Sequence, residues 1–386
     1  MVSVVLIATL ECRVKWYRPP SQQMKSPTLP PLRNRRRVWQ LASIGLLLVP
    51  LVAEIVVRVG FYRQLRTRCS PNIYEPDPAL GYRYRPSSSG RLCIPDLCRT
   101  VTINENGYFG RPFPQQKRLG QYRVIVISNS DATGIWTADG ESFVTLLRDR
   151  LQSVSDRVEL LNLSVDGRDR DPEHLALARE AVRRYGPDLI LLHVGVPFIS
   201  RHQQREVYRD YVVEYLVDSP KSRAKALAAV DYLESQTVAK LVLDTSYLVR
   251  ALATAYLRHS SSNVAWLLQT YMTKRYSAGT PAVPESATKS LDALVQARQD
   301  FAVTGVRLLL LGDADDHALQ TVATQAGLEV LTTHRPSGSE NFLPTNAHLT
   351  HTGHDLVAEE LYRGLLPRLR AWGVLEQPQA NEAQVR

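Results

Sequence analysis

Hydrophobic positions along the chain follow three successive patterns. From Val38 to Val57 they are nearly continuous, VWQLASIGLLLVPLVAEIVV. About 20 residues at 1.5 Å each cross a ~30 Å hydrocarbon layer, so the run predicts one transmembrane helix over residues 38–58. Residues 59–120 carry short stretches broken by Pro and Gly, YEPDPALGYRYRPSSSGR and RTVTINENGYFGRPF, which predict a small β-rich connector. From Tyr122 the pattern becomes one of short Val/Ile/Leu runs at 122–128, 158–164, 188–195, 306–312 and 328–333. Amphipathic stretches such as ESFVTLLRDRLQ, DPEHLALAREAVRRY, DHALQTVATQAG and GHDLVAEELYRGLLPRL separate them. That alternation predicts an α/β domain over residues 121–366, a parallel sheet with helices on both faces, followed by a tail at 367–386. Between the third and fourth strands, about residues 200–300 form a Tyr-rich, mostly helical insertion. It falls at the C-terminal edge of the sheet, where it serves as a lid, a partner surface or extra packing.

Charge orients this plan. The formal net charge is +9, but eight Lys or Arg lie before residue 38 against one Glu, and residues 38–68 add a net +3, leaving 69–386 with a net −1. A nucleic-acid partner is therefore not expected, because its phosphates would need cations clustered on the folded part. The RNRRR run at Arg33–Arg37 directly precedes the span, as a cytoplasmic flank should. The prediction is a bacterial inner-membrane protein with a cytoplasmic tail at 1–37 and the C-terminal domain in the periplasm or outside. Glu54, near the outer end of the span, is within reach of Arg58 one turn later, so pairing with it or snorkelling to the interface are both open and a proton path is not required; Pro50 is expected to do no more than kink the helix. Translation is expected to start at Met24, since MVSVVLIATL fits neither a signal peptide nor a span. In an oxidising compartment Cys93 and Cys98, around the Pro95–Asp96 turn, have the spacing to close a short hairpin loop; the free-thiol alternative stays open.

Three loops carry candidate chemistry. Ser130, in VIVISNSDATG, follows the first strand and opens a helix, which places its hydroxyl at the mouth of the sheet, although Ser there is also an ordinary cap. Gly167, in NLSVDG, offers a backbone N–H that a substrate oxygen can approach, or is simply a turn glycine. His348, in FLPTNAHLTHTGHDL, precedes the last helix, where an imidazole can serve a serine as general base. His351 and His354 follow at spacings of three, but no supporting Asp, Glu or Cys cluster accompanies them, so neither a metal nor any other cofactor is expected. LLLLGDADD at Gly312 has Ala314 where a nucleophile would stand.

In this order and at these strand ends, the three loops resemble the SGNH/GDSL hydrolases over about residues 121–366. The connector stretches YEPDPALGYRYRP and INENGYFGRPF are similar to those of membrane-anchored bacterial members. The resemblance implies a three-layer, flavodoxin-like parallel sheet. It implies Ser130 as nucleophile in Ser128-Asn129-Ser130, where the family has Gly-Asp-Ser, and backbone donors at Ser130 and Gly167 for the oxyanion. His348 would be the base in Thr345-Asn346-Ala347-His348, where the family has Asp-x-x-His. The family's oxyanion asparagine falls on Pro197 in Gly195-Val196-Pro197-Phe198, and its orienting aspartate on Thr345. Losing one oxyanion donor costs about 2.7–4 kcal/mol, so Asn129 and Thr345 are candidate supports. Two readings arise. In the first, the chain is a membrane-anchored serine esterase or O-acyltransferase with an acylated envelope or exported polysaccharide as substrate. In the second it is a degenerate relative that binds glycan or docks an envelope protein through the helical insertion. Ser130 and His348 within hydrogen-bond reach of each other would favour the first.

Overall fold

The computed structural model describes residues 35–65, 72–93, 97–137, 141–167, 171–200, 203–216, 219–259, 262–277, 283–344 and 348–376. Contacts divide the chain into a small unit, Met1–Ala53, and a large one, Glu54–Arg386. Helix α1 (Arg35–Leu65) contains Ala42–Gly60, which is long and apolar enough to cross a membrane and holds no fully buried residue among those described. The helix continues through Pro50.

The connector holds two antiparallel hairpins, β1 (Tyr74–Asp77) with β2 (Gly81–Tyr84) and β3 (Ser89–Cys93) with β4 (Cys98–Thr102). Cys93 and Cys98 are opposite each other in register, but their side chains, like Cys12 and Cys69, lie outside the described residues. The connector shares its core with the α/β domain: Ile73, Tyr82, Tyr84, Val101 and Ile103 belong to the same buried cluster as Ile125 and Leu192 of the central sheet.

That sheet is built from β5 (Tyr122–Ile127), β6 (Val158–Asn162), β7 (Leu189–His193), β13 (Arg307–Asp313) and β14 (Glu329–Thr333), all parallel, in the spatial order β14-β13-β7-β5-β6. Alternate residues of each strand feed two cores. Val124, Val126, Leu189, Leu191, Leu309 and Leu311 face one layer, made by α3 (Phe143–Val154) and α11 (His351–Ala371). Ile125, Ile127, Ile190 and Leu192 face the other, made by α4 (Asp171–Tyr185), α9 (Ala287–Val303) and α10 (His317–Ala326). The architecture is the three-layer α/β arrangement the alternating pattern predicts, with the strands read as continuous apolar runs because both faces are covered. The last helix runs to Ala371, into the segment expected to be a tail.

Strand β5 is anchored by an unforeseen residue. Arg123 is fully buried, donating through Nε to Glu159 Oε2 (2.6 Å) and through its other nitrogens to the carbonyls of Gln115 (2.6 Å), Tyr185 (2.7 Å) and Pro114 (3.0 Å).

The insertion is more mixed than its sequence suggests. Besides α5 (Pro220–Ser235), α6 (Thr237–Thr245), α7 (Tyr247–His259) and α8 (Asn263–Thr273), it contains β8 (Ile199–Ser200), β9 (Gln203–Tyr208), β10 (Tyr211–Leu216), β11 (Arg275–Ser277) and β12 (Val283–Pro284). β9, β10 and β11 form their own sheet, and Tyr211, Val213 and Tyr215 pack on α5 in a separate core. The β9–β10 turn is made by Arg209 and Asp210, both at positive φ (48° and 64°), a two-residue geometry usually signalled by Asn-Gly.

Candidate active site

In a sheet of this order the crevice lies where the two halves diverge, beyond the C-terminal ends of β5 and β7. There β5 runs into Ser128 and Asn129 and then α2 (Ser130–Thr133). Three local bonds fix this turn. The Asn129 side chain caps the helix, accepting from the Asp131 N–H (3.2 Å). Ser128 N–H donates to Ser164 Oγ (3.0 Å), and Asn162 Nδ2 donates to the Ala132 carbonyl (2.6 Å), tying the turn to the end of β6. Asn129 is thus used as an N-cap, the role Asn favours at a helix start.

His348 is delivered by the segment before α11. Leu349 bridges to Phe342, and Leu343 N–H donates to the His348 carbonyl (2.9 Å). Thr350 caps the helix through its side chain. Gly353, in the first turn, passes so close to the 341 backbone that a β-carbon there would lie 2.5 Å from the Asn341 carbonyl oxygen. The result places His348 Nε2 2.9 Å from Ser130 Oγ. The imidazole lies on the indole of the mostly buried Trp136, with centroids 5.4 Å apart and planes 28° apart, and Leu349 N–H reaches Asp131 Oδ1 (3.4 Å). Two elements separated by 218 residues therefore meet through both a side-chain and a backbone bond. An imidazole accepting from a serine hydroxyl is the geometry of a nucleophile and its base.

The pair opens into a cavity of about 570 Å³ whose walls include Ser128, His193, Asp313, Thr333, Arg335 and Phe342, drawn from the ends of four strands and the loops beyond them. His193, the last residue of β7, was not singled out in the sequence. Its position two residues before the end of the predicted strand at 188–195 was the available signal, and its carbonyl is bonded by His174 Nδ1 (2.9 Å). Trp136 carried no sequence signal.

Gly167 is placed differently. It sits at φ +66° just after β6, and it is not among the residues lining the cavity. A β-carbon there would meet Arg205 Nη2 at 2.7 Å and Tyr82 Oη at 3.1 Å. Its neighbour Asp166 is buried and gathers the connector: Tyr74 (2.6 Å) and Tyr84 (3.0 Å) donate to its Oδ1, Tyr82 donates to its carbonyl (2.7 Å), and its N–H donates to Tyr84 Oη (3.0 Å). Arg205, also buried, stacks over Tyr82 (4.0 Å) and donates through Nε to Glu214 (2.9 Å). Burial alone would pull the Arg205 guanidinium down, but Tyr82, Glu214, Tyr74 and Asp166 outweigh it and hold it well above its usual value. Burial, then the Asp166 charge, push the Tyr84 phenol well above 10.

The sign of the Tyr84 shift makes a prediction. A phenol that holds its proton more tightly when folded stabilises fully below the unfolded value of about 10 and loses that contribution above it. The melting temperature of the full chain in detergent should therefore fall as pH rises from about 9 to about 11, measured by circular dichroism. A flat profile over that range would contradict the burial of this tyrosine cluster.

Of the remaining sites, Thr345 lies outside the described residues. Pro197 follows β7, and the next N–H, of Phe198, donates to Ser290 Oγ (3.0 Å). His354 is buried, its Nδ1 accepting from the Phe143 N–H (3.2 Å) at the start of α3, and His351 lies 3.8 Å from Glu141. These histidines are structural neighbours of α3, and among the described residues no group of three His, Cys, Asp or Glu side chains is arranged to hold a metal.

No family model matches the chain, and no curated protein does. Solved structures similar to it include TesA (12% identity, 64% of this chain and 98% of that one, TM-score 0.35). The psychrotrophic esterase EstA from Pseudoalteromonas sp. is similar over 65% of this chain and 100% of its own, at 10% identity and TM-score 0.37. A mutant of Axe2, an acetyl-xylooligosaccharide esterase from Geobacillus, is similar over 64% and 96%, at 13% identity and TM-score 0.33.

Proposed function

We propose that the chain is a membrane-anchored serine esterase or O-acyltransferase, with acylated envelope or exported polysaccharide as its substrate. The observation that carries the reading is the 2.9 Å contact between Ser130 Oγ and His348 Nε2 at the mouth of the parallel sheet. A degenerate fold kept for binding alone has no reason to hold a serine and an imidazole, contributed by opposite ends of the domain, in this relation.

His348 takes the hydroxyl proton on Nε2 as Ser130 Oγ attacks the ester carbonyl. The developing oxyanion is received by the backbone N–H of Ser130 at the start of α2; Gly167, the second donor the resemblance implies, does not line the cavity. His348 then returns the proton to the departing sugar hydroxyl, leaving an acyl group on Ser130 and a free alcohol. Water, activated by the same imidazole, hydrolyses the acyl-enzyme; a second sugar hydroxyl in its place makes the reaction a transfer. Support for the imidazole comes from Trp136, which fixes its plane, while Asn129 holds the turn of the nucleophile.

The apolar length of α1 and the basic run before it support anchoring in the bacterial inner membrane with the catalytic domain outside the cytoplasm. An open cavity of about 570 Å³ is large enough for a sugar unit bearing a small acyl group. The test is to incubate the full chain in detergent with O-acetylated oligosaccharides and to follow acetate release and acetyl transfer to unacetylated oligosaccharide. Either product, absent in Ser130→Ala, is the expected result. Turnover of p-nitrophenyl acetate without either product would remove the polysaccharide from the proposal, and the absence of all turnover would remove the enzyme.

A further inference from the structure

The acidic residue inside the apolar window of α1 is satisfied by the insertion. Glu54 lies six residues before the end of Ala42–Gly60, so at 1.5 Å per residue it is about 9 Å inside the outer limit of the window. Its carboxylate accepts from Ser246 Oγ (2.8 Å) and from the backbone N–H groups of Tyr247 (2.9 Å) and Leu248 (2.9 Å), which open helix α7. Arg58, bonded to Glu54 (3.1 Å) as the sequence suggests, also donates to the Thr245 carbonyl (2.8 Å) at the end of α6 and lies over the Tyr247 ring (4.7 Å). Glu54 and everything it touches belong to the large unit. The α6–α7 junction is therefore fixed at the level of an apolar stretch rather than beyond it.

The surface around that junction is apolar even though the same helices already bury Leu243, Val249, Ala253, Leu267 and Leu268 in the core they share with α5. On a helix facing water, apolar side chains turn inward and charged ones outward. Here Val238 (68% exposed), Leu241 (61%), Val242, Leu252 (62%), Tyr256 and Trp266 face outward on α6, α7 and α8. The charged groups turn inward: Arg250 is buried on the carbonyls of Leu243 and Asp244, Lys240 pairs with Glu234 of α5, and Tyr271 donates to Asp244 (2.9 Å).

Resting on the anchored reading above, we infer that the outward face of α6–α8 is embedded in the lipid leaflet that surrounds the outer end of α1, so that the insertion is a membrane-resting platform rather than a lid open to water. The partner is lipid acyl chain and interface. A carboxylate held at that depth requires a polar cap, which α7 supplies through its N-terminus. The face beside the cap is apolar with a Trp and a Tyr, residues suited to a membrane–water boundary. The platform is joined to β7 and β13, so it would hold the mouth of the catalytic sheet at a set height above the bilayer.

The experiment reconstitutes the full chain in phosphatidylcholine–phosphatidylglycerol vesicles containing a phospholipid with a diazirine on its acyl chain. Illumination is followed by mapping of adducts by mass spectrometry. Adducts are expected in residues 42–60 and also in 237–273. With Leu241→Asp and Leu252→Asp together, labelling of 237–273 should fall about tenfold while that of 42–60 stays, because a charge is costly in the apolar layer. Adducts confined to 42–60 would overturn the inference and leave the anchor standing. Chain-to-chain cross-links at 237–273 without lipid adducts would assign the face to a second copy and overturn it too. A chain without adducts anywhere and released by alkaline carbonate would overturn the anchored reading itself, a result distinct from the other two.

Discussion

Replacing His348 with alanine should lower kcat for ester hydrolysis by about a hundred- to ten-thousandfold, the range a positioned general base contributes, with KM nearly unchanged. The reasoning is geometric. His348 Nε2 touches Ser130 Oγ and lines the cavity wall, but the bulk of that wall is made by other residues. Proton transfer is therefore lost while substrate binding survives. At 1.36 kcal/mol per tenfold, the loss corresponds to about 3–5 kcal/mol of transition-state stabilisation. The double variant with Ser130→Ala should be no slower than the poorer single variant, because the two residues act as one unit. Rates measured on p-nitrophenyl acetate with the detergent-solubilised full chain decide this. Additive losses in the double variant would mean that Ser130 and His348 serve separate steps.

Arg123→Ala should cost about 3–5 kcal/mol of stability and lower the melting temperature by roughly 10 °C. The guanidinium is fully buried and satisfies Glu159 together with three backbone carbonyls, two from the segment before β5 and one from the end of α4. Removing it leaves Glu159 without its cation in a mostly buried place, and leaves those carbonyls to find other donors. The strand affected carries Ser130 at its far end, so activity should fall with stability in a thermal series and recover on cooling. A variant that melts within a degree or two of the native chain would show that β5 is held by its hydrophobic faces alone.

The parts of the fold that were legible in the sequence are those set by local pattern. The five strands of the central sheet are runs such as YRVIVI and LILLH, buried on both faces, and no helix periodicity competes with them. Ser130 and His348 were legible because chain order puts each directly beyond a predicted element, one after β5 and one before α11. Their separation of 2.9 Å was not legible, since it depends on how α11 packs against α3 and on the close passage of Gly353 by Asn341. The tyrosine cluster around Asp166 escaped notice for a related reason. Tyr74, Tyr82 and Tyr84 alternate with charged or small residues as in any surface hairpin, and only the tertiary structure brings Arg205, more than a hundred residues away, beneath them. The strands of the insertion were hidden by a turn of Arg209 and Asp210 that lacks the usual glycine. Gly167 marks the boundary of motif reading: the sequence singled out its backbone, and the structure leaves no room for a β-carbon there beside Arg205 and Tyr82, with the connector holding the loop.

The connector is therefore part of the α/β domain's core, its first hairpin bonded to the loop after β6. Taken with the capped Glu54, this ties the C-terminal part of α1 to the same unit that holds Ser130.

The most direct measurement is the intact mass of the full-length protein after exposure to a fluorophosphonate, beside Ser130→Ala and His348→Ala. A serine activated by an adjacent imidazole is phosphonylated, and one without it is not. The account predicts a single adduct on Ser130 in the native chain, none in Ser130→Ala, and at most slow labelling in His348→Ala. A well-folded native chain that takes up no adduct, or takes it up on another residue, would contradict it.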